Sequence, residues 1–412
     1  MRAAVETDSI DAVAPAIVLE PADATMLSAM LRWATARKLS LALRGGGTKR
    51  HWGLCRGPID AVLSTTRLSG AIDHCAGDLT VTAPAGARLA AVNHLLAADR
   101  QWLALDPLAS DRATIGGIVA TSDSGPRRQR HGTPKDLIIG AEMALADGRL
   151  VKAGGRVVKN VAGYDLARLL CGSFGCLAVI TSATFKLAPL APASRTVVVA
   201  GNRIRQLADL ARAVSTSPLT PTAIEIVSPP ARLLIRIETT EAAADRQAAA
   251  MCDLCSSSGV SPSILTGDSE ARLWREHEEH LSPGDDTLVR LAVLPTDVAD
   301  LVEQVEAVAA RHALDAGLGG RAGLGVMYVL FTEARTADGS ATAARQAAAI
   351  EELRHYARAR RGSAVLVAAS RAVKLIVDPW GEVGDSLALM RSVKARFDPD
   401  GILNVGRGPG GI

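Results

Sequence analysis

The chain has 412 residues, enough for two or three domains with substantial cores. Its 48% hydrophobic and 22% charged residues are typical of a globular protein, while a net charge of +3 and 3% aromatic residues argue against a nucleic acid partner. The sequence has no apolar run of about 18 residues and no signal-peptide pattern, so we expect a cytoplasmic protein. Six dispersed cysteines are typical of reduced thiols.

The first elements predict a helix, a strand and a glycine loop. A helix over residues 24–38, with Met26, Met30 and Trp33 on one face, leads into an apolar strand that ends in Arg44-Gly45-Gly46-Gly47-Thr48-Lys49-Arg50-His51. Glycines let several backbone N–H groups approach one anion, and the flanking cations add positive charge. The loop therefore predicts a phosphate cradle, with an ordinary tight turn as the alternative.

The residues after this loop exclude two common phosphate-binding motifs. A short strand at 59–63 follows, whereas a Rossmann fingerprint requires a helix at that point. A P-loop requires Ser or Thr after its lysine, and Lys49 is followed by Arg50. A different diphosphate cradle is therefore expected.

Two further cassettes of small residues follow a strand at 79–82 and a helix from Leu89. The second cassette runs through T-I-G-G-I-V-A-T-S-D-S-G at 114–125, and the third spans 155–166 and continues to Cys176. Small and hydroxyl residues alternate with apolar ones, as suits a backbone lying against a large flat ligand. Asp123 could instead bond its own backbone in a turn, and Asp165 and Lys159 could be a helix-end charge and a solvated lysine.

Beyond Pro192 the pattern changes to two copies of the order βαββαβ. The first predicts strands at 196–200, 223–228, 233–238 and 259–265 and helices at 203–215 and 241–256. The second predicts strands at 287–295, 314–318, 325–331 and 363–369 and helices at 296–313 and 341–360. This order is typical of ferredoxin-like units, in which two helices cover one face of an antiparallel sheet.

In this order the three cassettes resemble the FAD-binding domain of the vanillyl-alcohol oxidase (PCMH-type) flavoprotein superfamily. The third, V-V-K-N-V-A-G-Y-D-L-A-R-L-L-C-G-S-F-G-C-L, is most similar to the family of FAD-binding E subunits of bacterial glycolate oxidase (glycolate dehydrogenase) complexes, and the ending F-D-P-D-G-I-L-N-V-G is similar to the superfamily's C-terminal motif. The resemblance implies an α+β protein: a two-subdomain FAD-binding domain at 1–190, an α+β cap at 195–375 and a segment at 376–412 that returns to the FAD domain.

Carried over position by position, the resemblance implies the cofactor contacts. The first loop would hold the FAD diphosphate, the second cassette would line diphosphate and isoalloxazine, Ile180 would meet the adenine end, and Asn404 would return near the flavin. Superfamily members with covalent FAD carry His where this chain has Thr48, so dissociable FAD is expected. The implied residues are Arg44, Gly45, Gly46, Gly47, Thr48, Lys49, Thr114, Ile115, Gly116, Gly117, Thr121, Ser124, Gly125, Ile180 and Asn404.

The resemblance further implies oxidation of glycolate, or of D-lactate, alongside a homologous FAD-containing catalytic subunit and an iron–sulfur subunit. It allows peripheral association with the inner face of a membrane through that complex. Superfamily enzymes that oxidise D-2-hydroxy acids carry a His-rich metal and base motif, to which nothing here corresponds. The nearest segment, His277-Glu278-Glu279-His280, lies in a charged run and predicts a solvated helix face rather than a metal site.

Three questions therefore stay open from sequence. No substrate base is assigned; in a stand-alone oxidoreductase with another substrate it would come from His312, His355 or Tyr328. The chain could also be a non-catalytic subunit that has the FAD-binding fold and serves assembly of the complex. The basic run of Arg127, Arg128 and Arg130 could meet FAD, substrate or a partner subunit.

Overall fold

The computed structural model describes residues 1–156, 163–201, 203–284, 286–332 and 339–412. They form two compact units. The first unit comprises Met1–Gly125, His131–Leu190 and Glu382–Ile412, and the second comprises Pro126–Arg130 and Ala191–Gly381. The division into an FAD-binding domain at 1–190, a cap at 195–375 and a C-terminal segment at 376–412 stays a prediction. None of the described helices is long and apolar enough to span a membrane.

The first unit begins with a small sheet in the order β1-β2-β4-β3, in which β2, β4 and β3 run parallel. Helix α1 starts where the Asp23 carboxylate accepts a hydrogen bond from Met26 N at 2.7 Å. It buries Leu27 and Leu31, whereas Met26 is exposed, so the predicted apolar face was displaced by one position. The elements are β1 (Arg2–Ala3), β2 (Ile17–Leu19), α1 (Ala24–Ala36), β3 (Leu41–Arg44) and β4 (Ala61–Ser64).

This unit also contains a second, antiparallel sheet in the order β5-β6-β10-β8-β9. Strands β7 and β11 form a separate two-stranded sheet. The apolar core of the five-stranded sheet includes Val81, Met143 and Phe185, all fully buried. The elements are β5 (Asp73–Cys75), β6 (Thr80–Pro84), α2 (Leu89–Leu96), β7 (Gln101–Trp102), α3 (Ile115–Thr121), α5 (Pro134–Leu137), β8 (Ile138–Ala144), β9 (Leu150–Gly154), α6 (Leu166–Leu170), β10 (Val179–Lys186) and β11 (Ala188–Pro189). The short helix α4 (Arg128–His131) belongs to the second unit except for its last residue.

The second unit is built on an eight-stranded antiparallel sheet in the order β15-β12-β14-β13-β17-β18-β16-β19. Both copies of βαββαβ are confirmed, and their second strands, β13 and β17, pair to join the copies into one sheet. The elements are β12 (Ala193–Ala200), α7 (Ile204–Ser215), β13 (Ala223–Ser228), β14 (Arg232–Thr239), α8 (Glu241–Ser256), β15 (Pro262–Leu265), α9 (Gly267–His280), β16 (Thr287–Ala292), α10 (Val298–Arg311), β17 (Asp315–Arg321), β18 (Val326–Thr332), α11 (Gly339–Ala359), β19 (Ser363–Ala368) and α12 (Arg371–Ile376).

The C-terminal segment belongs to the first unit. Helix α13 (Ser386–Phe397) is followed by a turn in which the Asp398 carboxylate accepts from the backbone N–H groups of Ile402 and Leu403 at 3.0 and 2.8 Å. Leu403 then forms a parallel bridge with Leu41 at the start of β3. This bridge places the end of the chain next to the glycine loop.

Candidate cofactor site

A cavity in the first unit brings most of the predicted cofactor residues together. Its walls come from the exit of β3, the start of α3, the segment 174–180 and the C-terminal tail. The predicted residues that line it are Arg44, Gly45, Gly46, Gly47, Thr48, Lys49, Thr114, Gly116, Gly117, Thr121, Ile180 and Asn404. Among the predicted residues, Ile115, Ser124 and Gly125 are not part of this lining.

The glycine loop is packed so closely that two of its positions have no space for a side chain. A Cβ on Gly45 would lie 2.2 Å from Thr114 Oγ1, and one on Gly46 would lie 1.9 Å from the carbonyl oxygen of Arg112. Gly47 has φ of +75°, in the region that L side chains rarely adopt. The sequence Gly45-Gly46-Gly47 is therefore required by close approach at two positions and by backbone conformation at the third.

The second cassette forms the short helix α3, which the sequence did not predict. Gly116 N donates to the carbonyl of Ala85 at 2.9 Å, and a Cβ on Gly116 would lie 2.9 Å from the Ala85 side chain. This contact places Gly117 and Thr121 along the cavity. Two glycines and four β-branched residues in seven are poor helix formers, so tertiary packing and not propensity forms this helix.

The cations around the loop are paired with buried carboxylates. Arg44 lies 2.8 Å from Asp8, and Lys49 lies 2.8 Å from Asp123 and also donates to the carbonyl of Leu108 at 3.1 Å. Hydrogen bonds from Arg2 hold the pKa of Asp8 well below its ordinary value, and the charge of Arg44 lowers the pKa further. These effects outweigh burial, which alone would raise the pKa of Asp8. The carboxylates offset two of the positive charges expected to face a phosphate, so an anion at this loop would depend more on backbone N–H groups than the sequence indicated.

The tail closes one side of the cavity through Asn404. Its side-chain oxygen accepts from Leu43 N at 2.8 Å, its amide nitrogen donates to the carbonyl of Phe174 at 2.5 Å, and its backbone N–H donates to Leu41 O at 2.7 Å. Asn404 has φ of +45°, a conformation in which asparagine is enriched. Nearby, Arg407 donates to the carbonyl of Trp52 at 2.9 Å.

Three of the predicted residues lie outside the lining of the cavity. Ile115 is fully buried and donates its N–H to Ala87 O at 2.9 Å, and Ser124 is also buried. Gly125 N donates to the Asp106 carboxylate at 3.0 Å, and a Cβ there would lie 1.8 Å from Asp106 O.

Some lining residues were not predicted. Phe174 and Gly175 both have positive φ and lie in the G-S-F-G-C-L part of the third cassette, so this motif could have predicted them as lining residues. Ile10, Thr65 and Arg407 carried no such signal. In the third cassette Asp165 caps α6 by accepting from Arg168 N at 3.0 Å, which confirms the helix-end interpretation. Lys159 lies outside the described residues.

The predicted solvated face at His277-Glu278-Glu279-His280 is wrong for His277, while His280 is partly exposed. His277 is buried, and its Nε2 lies 3.0 Å from the Glu225 carboxylate on β13. His280 Nε2 lies 3.3 Å from Leu318 O, and burial lowers the pKa of His280. Across the described ranges no three His, Cys, Asp or Glu side chains converge as metal ligands.

The other sequence candidates for a substrate base are placed in the second unit. His312 Nε2 lies 3.1 Å from the Glu352 carboxylate, and His355 is exposed on α11. Tyr328 is buried on β18, with the Arg321 guanidinium 4.9 Å from its ring centroid.

Comparison with known families shows which cofactor the chain binds. Residues 15–154 match the FAD binding domain family, and residues 226–407 match the C-terminal domain family of FAD linked oxidases. The chain is a flavoprotein with the FAD-binding domain of the FAD-oxidase (PCMH-type) superfamily. Its fold is that PCMH-type domain with a C-terminal FAD-oxidase domain, as expected, and its cofactor is FAD.

Relatives and solved structures agree with this assignment. The flavoprotein is 24% identical over 427 residues to glycolate oxidase subunit GlcD of Bacillus subtilis, a match that covers 95% of this chain and 88% of the relative. It is 35% identical over 162 residues to glycolate oxidase subunit GlcE of Escherichia coli, covering 39% of this chain and 46% of the relative. It is 36% identical over 174 residues to a D-lactate dehydrogenase of Archaeoglobus fulgidus, covering 42% and 39%. The last two matches thus span less than half of those relatives.

The fold itself is shared with p-cresol methylhydroxylase. A crystal structure of that enzyme with substrate bound superposes with a TM-score of 0.76 at 14% identity, covering 96% of this chain and 89% of the enzyme. The residues present also suit FAD chemically. The cavity combines glycine backbone, the hydroxyls of Thr114 and Thr121, and apolar walls at Val179 and Ile180, a set that serves a ligand with both a diphosphate and a flat ring system.

Proposed function

We propose that this flavoprotein is the E-type FAD-binding subunit of a glycolate oxidase (glycolate dehydrogenase) complex. The complex would oxidise glycolate to glyoxylate, with D-lactate as a second 2-hydroxy acid substrate. The observation that carries the proposal is that residues of all three cassettes and of the tail line one glycine-rich cavity. The similarity of the chain to both GlcD and GlcE supports it.

The bound FAD supplies the chemistry of hydride acceptance from the α-carbon of the hydroxy acid. The chain's own residues would hold it. The loop from Arg44 to Lys49 would cradle the diphosphate, Thr114, Gly116, Gly117 and Thr121 would line diphosphate and ring, and Ile180 would meet the adenine end through its backbone. Asn404 would stand beside the ring from the tail, while Ile115, Ser124 and Gly125 would support the second cassette.

FAD is held without a covalent bond in this proposal. Thr48 occupies the loop position at which covalent superfamily members carry histidine. A threonine hydroxyl lacks the imidazole nitrogen that forms such a bond.

The proposal assigns turnover to the assembled complex. The surroundings of two candidate bases support this division, since His312 is paired with Glu352 and Tyr328 is buried against the guanidinium of Arg321. The partners would be a homologous FAD-containing subunit that provides the base and an iron–sulfur subunit that carries electrons onward. The complex would be cytoplasmic, with peripheral attachment to the inner face of the membrane.

Flavin spectroscopy on the purified chain tests this proposal. We expect an oxidised-flavin absorption spectrum at near one FAD per chain, and no bleaching when glycolate is added anaerobically. Bleaching should begin once the homologous FAD subunit and the iron–sulfur subunit are co-purified with it. Rapid bleaching by glycolate or D-lactate in the isolated chain would overturn the division of labour.

Two other outcomes identify the alternatives. Bleaching of the lone chain by an unrelated alcohol or hydroxy acid would make it a stand-alone oxidoreductase of the superfamily. A chain that is purified without flavin and takes none up on addition of FAD would instead be an assembly subunit.

A further inference from the structure

One lysine of helix α13 has its side chain turned into the first unit. The Lys394 side chain is only 13% exposed, whereas Arg391 and Arg396 of the same helix are exposed. An ammonium group carries three N–H donors, and a buried donor without an acceptor costs free energy. The acceptors around the Lys394 ammonium therefore show what this residue holds together.

Three oxygen atoms surround the Lys394 ammonium. Its Nζ donates to the Asp398 carboxylate at 2.5 Å and to the carbonyl of Leu403 at 2.9 Å, both in the C-terminal tail. The third donation goes to the carbonyl of Cys176 at 2.8 Å, in the third cassette. One side chain thus satisfies its three donors and joins the tail to the third cassette.

Asp398 extends this network along the tail. It is buried, and its two oxygens accept from the backbone N–H groups of Ile402 and Leu403 as well as from Lys394. Hydrogen bonds to an ionised group are short and directional. The pair of Lys394 and Asp398 therefore fixes the backbone at 402–403, directly before Asn404.

Both segments that Lys394 joins reach the cavity of the first unit. Gly175 lines the cavity directly before Cys176, and Asn404 lines it directly after Leu403. Lys394 itself is not part of the lining, and all of these residues belong to the first unit. Lys394 thus lies behind two parts of the cavity wall and holds them together.

We propose that Lys394 is a positioning residue for FAD: it holds the tail against the third cassette, so that Asn404 stands in the cavity wall before FAD binds. A wall that is ordered in advance loses less conformational entropy when it takes up its ligand. The inference rests on the proposed placement of FAD in this cavity.

Apolar contacts alone would not give this order. Val393 and Phe397 pack α13 against one apolar core, and the tail is buried in another through Leu403. Because such contacts are non-directional, they keep helix and tail on the protein, whereas the hydrogen bonds of the ammonium set where Asn404 lies. A chain without the Lys394 ammonium is therefore expected to fold and to hold Asn404 less firmly.

The affinity of the purified chain for FAD tests the proposal in a double-mutant cycle. The variants are Lys394→Met, Asn404→Ala and the two combined. Methionine keeps most of the length of the lysine side chain and removes its charge and its donors. Quenching of flavin fluorescence, after removal of the bound FAD, gives the dissociation constant. Circular dichroism and denaturant unfolding give the folded fraction and the stability of each variant.

Two control variants separate positioning from stability. Arg391→Met removes an exposed cation of the same helix. Leu96→Ala leaves a cavity in the apolar core of the first unit, at a fully buried residue that does not line the FAD cavity. A residue that only stabilised the unit would behave as Leu96 does, with lower stability and unchanged FAD affinity of the folded protein.

We expect Lys394→Met to raise the FAD dissociation constant about tenfold, because the tail must then be ordered as FAD binds. Arg391→Met and Leu96→Ala should bind FAD as wild type does, although Leu96→Ala unfolds more readily. The combined variant should bind FAD no more weakly than the worse single variant, since Lys394 acts through Asn404. Lys394→Arg keeps the positive charge beside Asp398 and should recover part of the affinity.

Two results overturn the proposal. In the first, Lys394→Met binds FAD no more weakly than Leu96→Ala. In the second, the effects of Lys394→Met and Asn404→Ala are additive, which would mean that Lys394 does not act through Asn404. If Lys394→Met does not fold, Asp398→Asn takes its place in the cycle, with Asp400→Asn at an exposed neighbour as its control. Wild-type affinity or additivity in that cycle overturns the proposal equally.

Gly46→Ala in the glycine loop separates this failure from failure of the proposed FAD site. Normal FAD affinity in both Gly46→Ala and Lys394→Met would overturn the placement of FAD in this cavity as well. Loss of affinity in Gly46→Ala alone would overturn only the role of Lys394. Neither measurement uses glycolate, so the proposed activity keeps its own experiment.

Discussion

The side-chain oxygen of Asn404 accepts a hydrogen bond from the backbone nitrogen of Leu43 at 2.8 Å, although 361 residues separate them. The same side chain donates to Phe174 O, so one buried amide joins the exit of β3, the third cassette and the C-terminal tail. Segments that are far apart in sequence thus build one wall of the candidate FAD cavity together.

Replacing Asn404 by alanine should therefore destabilise the first unit and weaken FAD binding. The change leaves the N–H of Leu43 and the carbonyl of Phe174 without their partner, at a cost of about 2–3 kcal/mol in the free energy of unfolding. Denaturant unfolding of the FAD-free protein measures this cost, and flavin fluorescence measures the loss of affinity. The control is Val405→Ala, at a neighbouring residue that is 47% exposed. Equal stability of the two variants would show that the Asn404 side chain does not hold the tail.

Gly46→Ala should abolish the FAD cradle. The new methyl group would lie 1.9 Å from the carbonyl oxygen of Arg112, a backbone atom that cannot move aside as a flexible side chain does. We expect the variant to be purified with less than a tenth of the wild-type flavin, measured as the ratio of flavin to protein absorbance. Gly57→Ala serves as control, because a Cβ at Gly57 meets no atom within 4 Å. Normal flavin content in Gly46→Ala would refute the tight packing of this loop.

The sequence predicted the helices and strands of the second unit better than those around the candidate cofactor site. The limits of β13 and α8 were predicted to the residue, because long apolar periodicities define such elements locally. The pairing of β13 with β17, which joins the two copies, depends on contacts between distant strands that no local pattern encodes. Helix α3 was missed for a related reason, since its glycines and β-branched residues become helical only through contacts with the Ala85 segment.

The sequence also did not predict which charged side chains pair with each other. The run around His277 predicted a solvated face because its neighbours are charged, but the residue that decides its burial is Glu225, which precedes it by 52 positions. Likewise Arg44 and Lys49 were taken as phosphate ligands, and their partners Asp8 and Asp123 gave no signal of proximity. Of the glycines in the same loop, only Gly47 is required by local backbone geometry, whereas Gly45 and Gly46 are required by contacts with Thr114 and Arg112, which are distant in sequence.

Thr48 leads to a prediction about how FAD is attached. Because the residue carries no imidazole, acid precipitation should release all of the flavin into the supernatant and leave a colourless pellet. Reverse-phase separation of the supernatant should recover intact FAD in proportion to the protein. Flavin fluorescence that stays with the denatured polypeptide on a gel would contradict a dissociable cofactor.

Glu238 should give the second unit a specific sensitivity to acid. Burial alone would raise the pKa of Glu238, but hydrogen bonds and charge from Arg127, with the charge of Arg236, lower it from an ordinary 4.5 to about 2. A carboxyl whose pKa is lower in the folded protein stabilises it fully above the unfolded pKa, and this stabilisation is lost as pH falls through the folded pKa. The expected contribution is about 3 kcal/mol at neutral pH, with more than half of it lost by about pH 3.

The measurement compares wild type with Glu238→Gln across this window. The difference in the free energy of unfolding should be largest above pH 5 and should shrink steadily toward pH 3, because in this range Glu238 becomes protonated in the unfolded chain but stays ionised in the folded protein. Glu241→Gln, at a glutamate of the same unit whose side chain is 83% exposed, is the control. A difference between wild type and Glu238→Gln that stays constant from pH 6 to pH 3 would mean that the Arg127 and Glu238 pair does not titrate as its geometry requires.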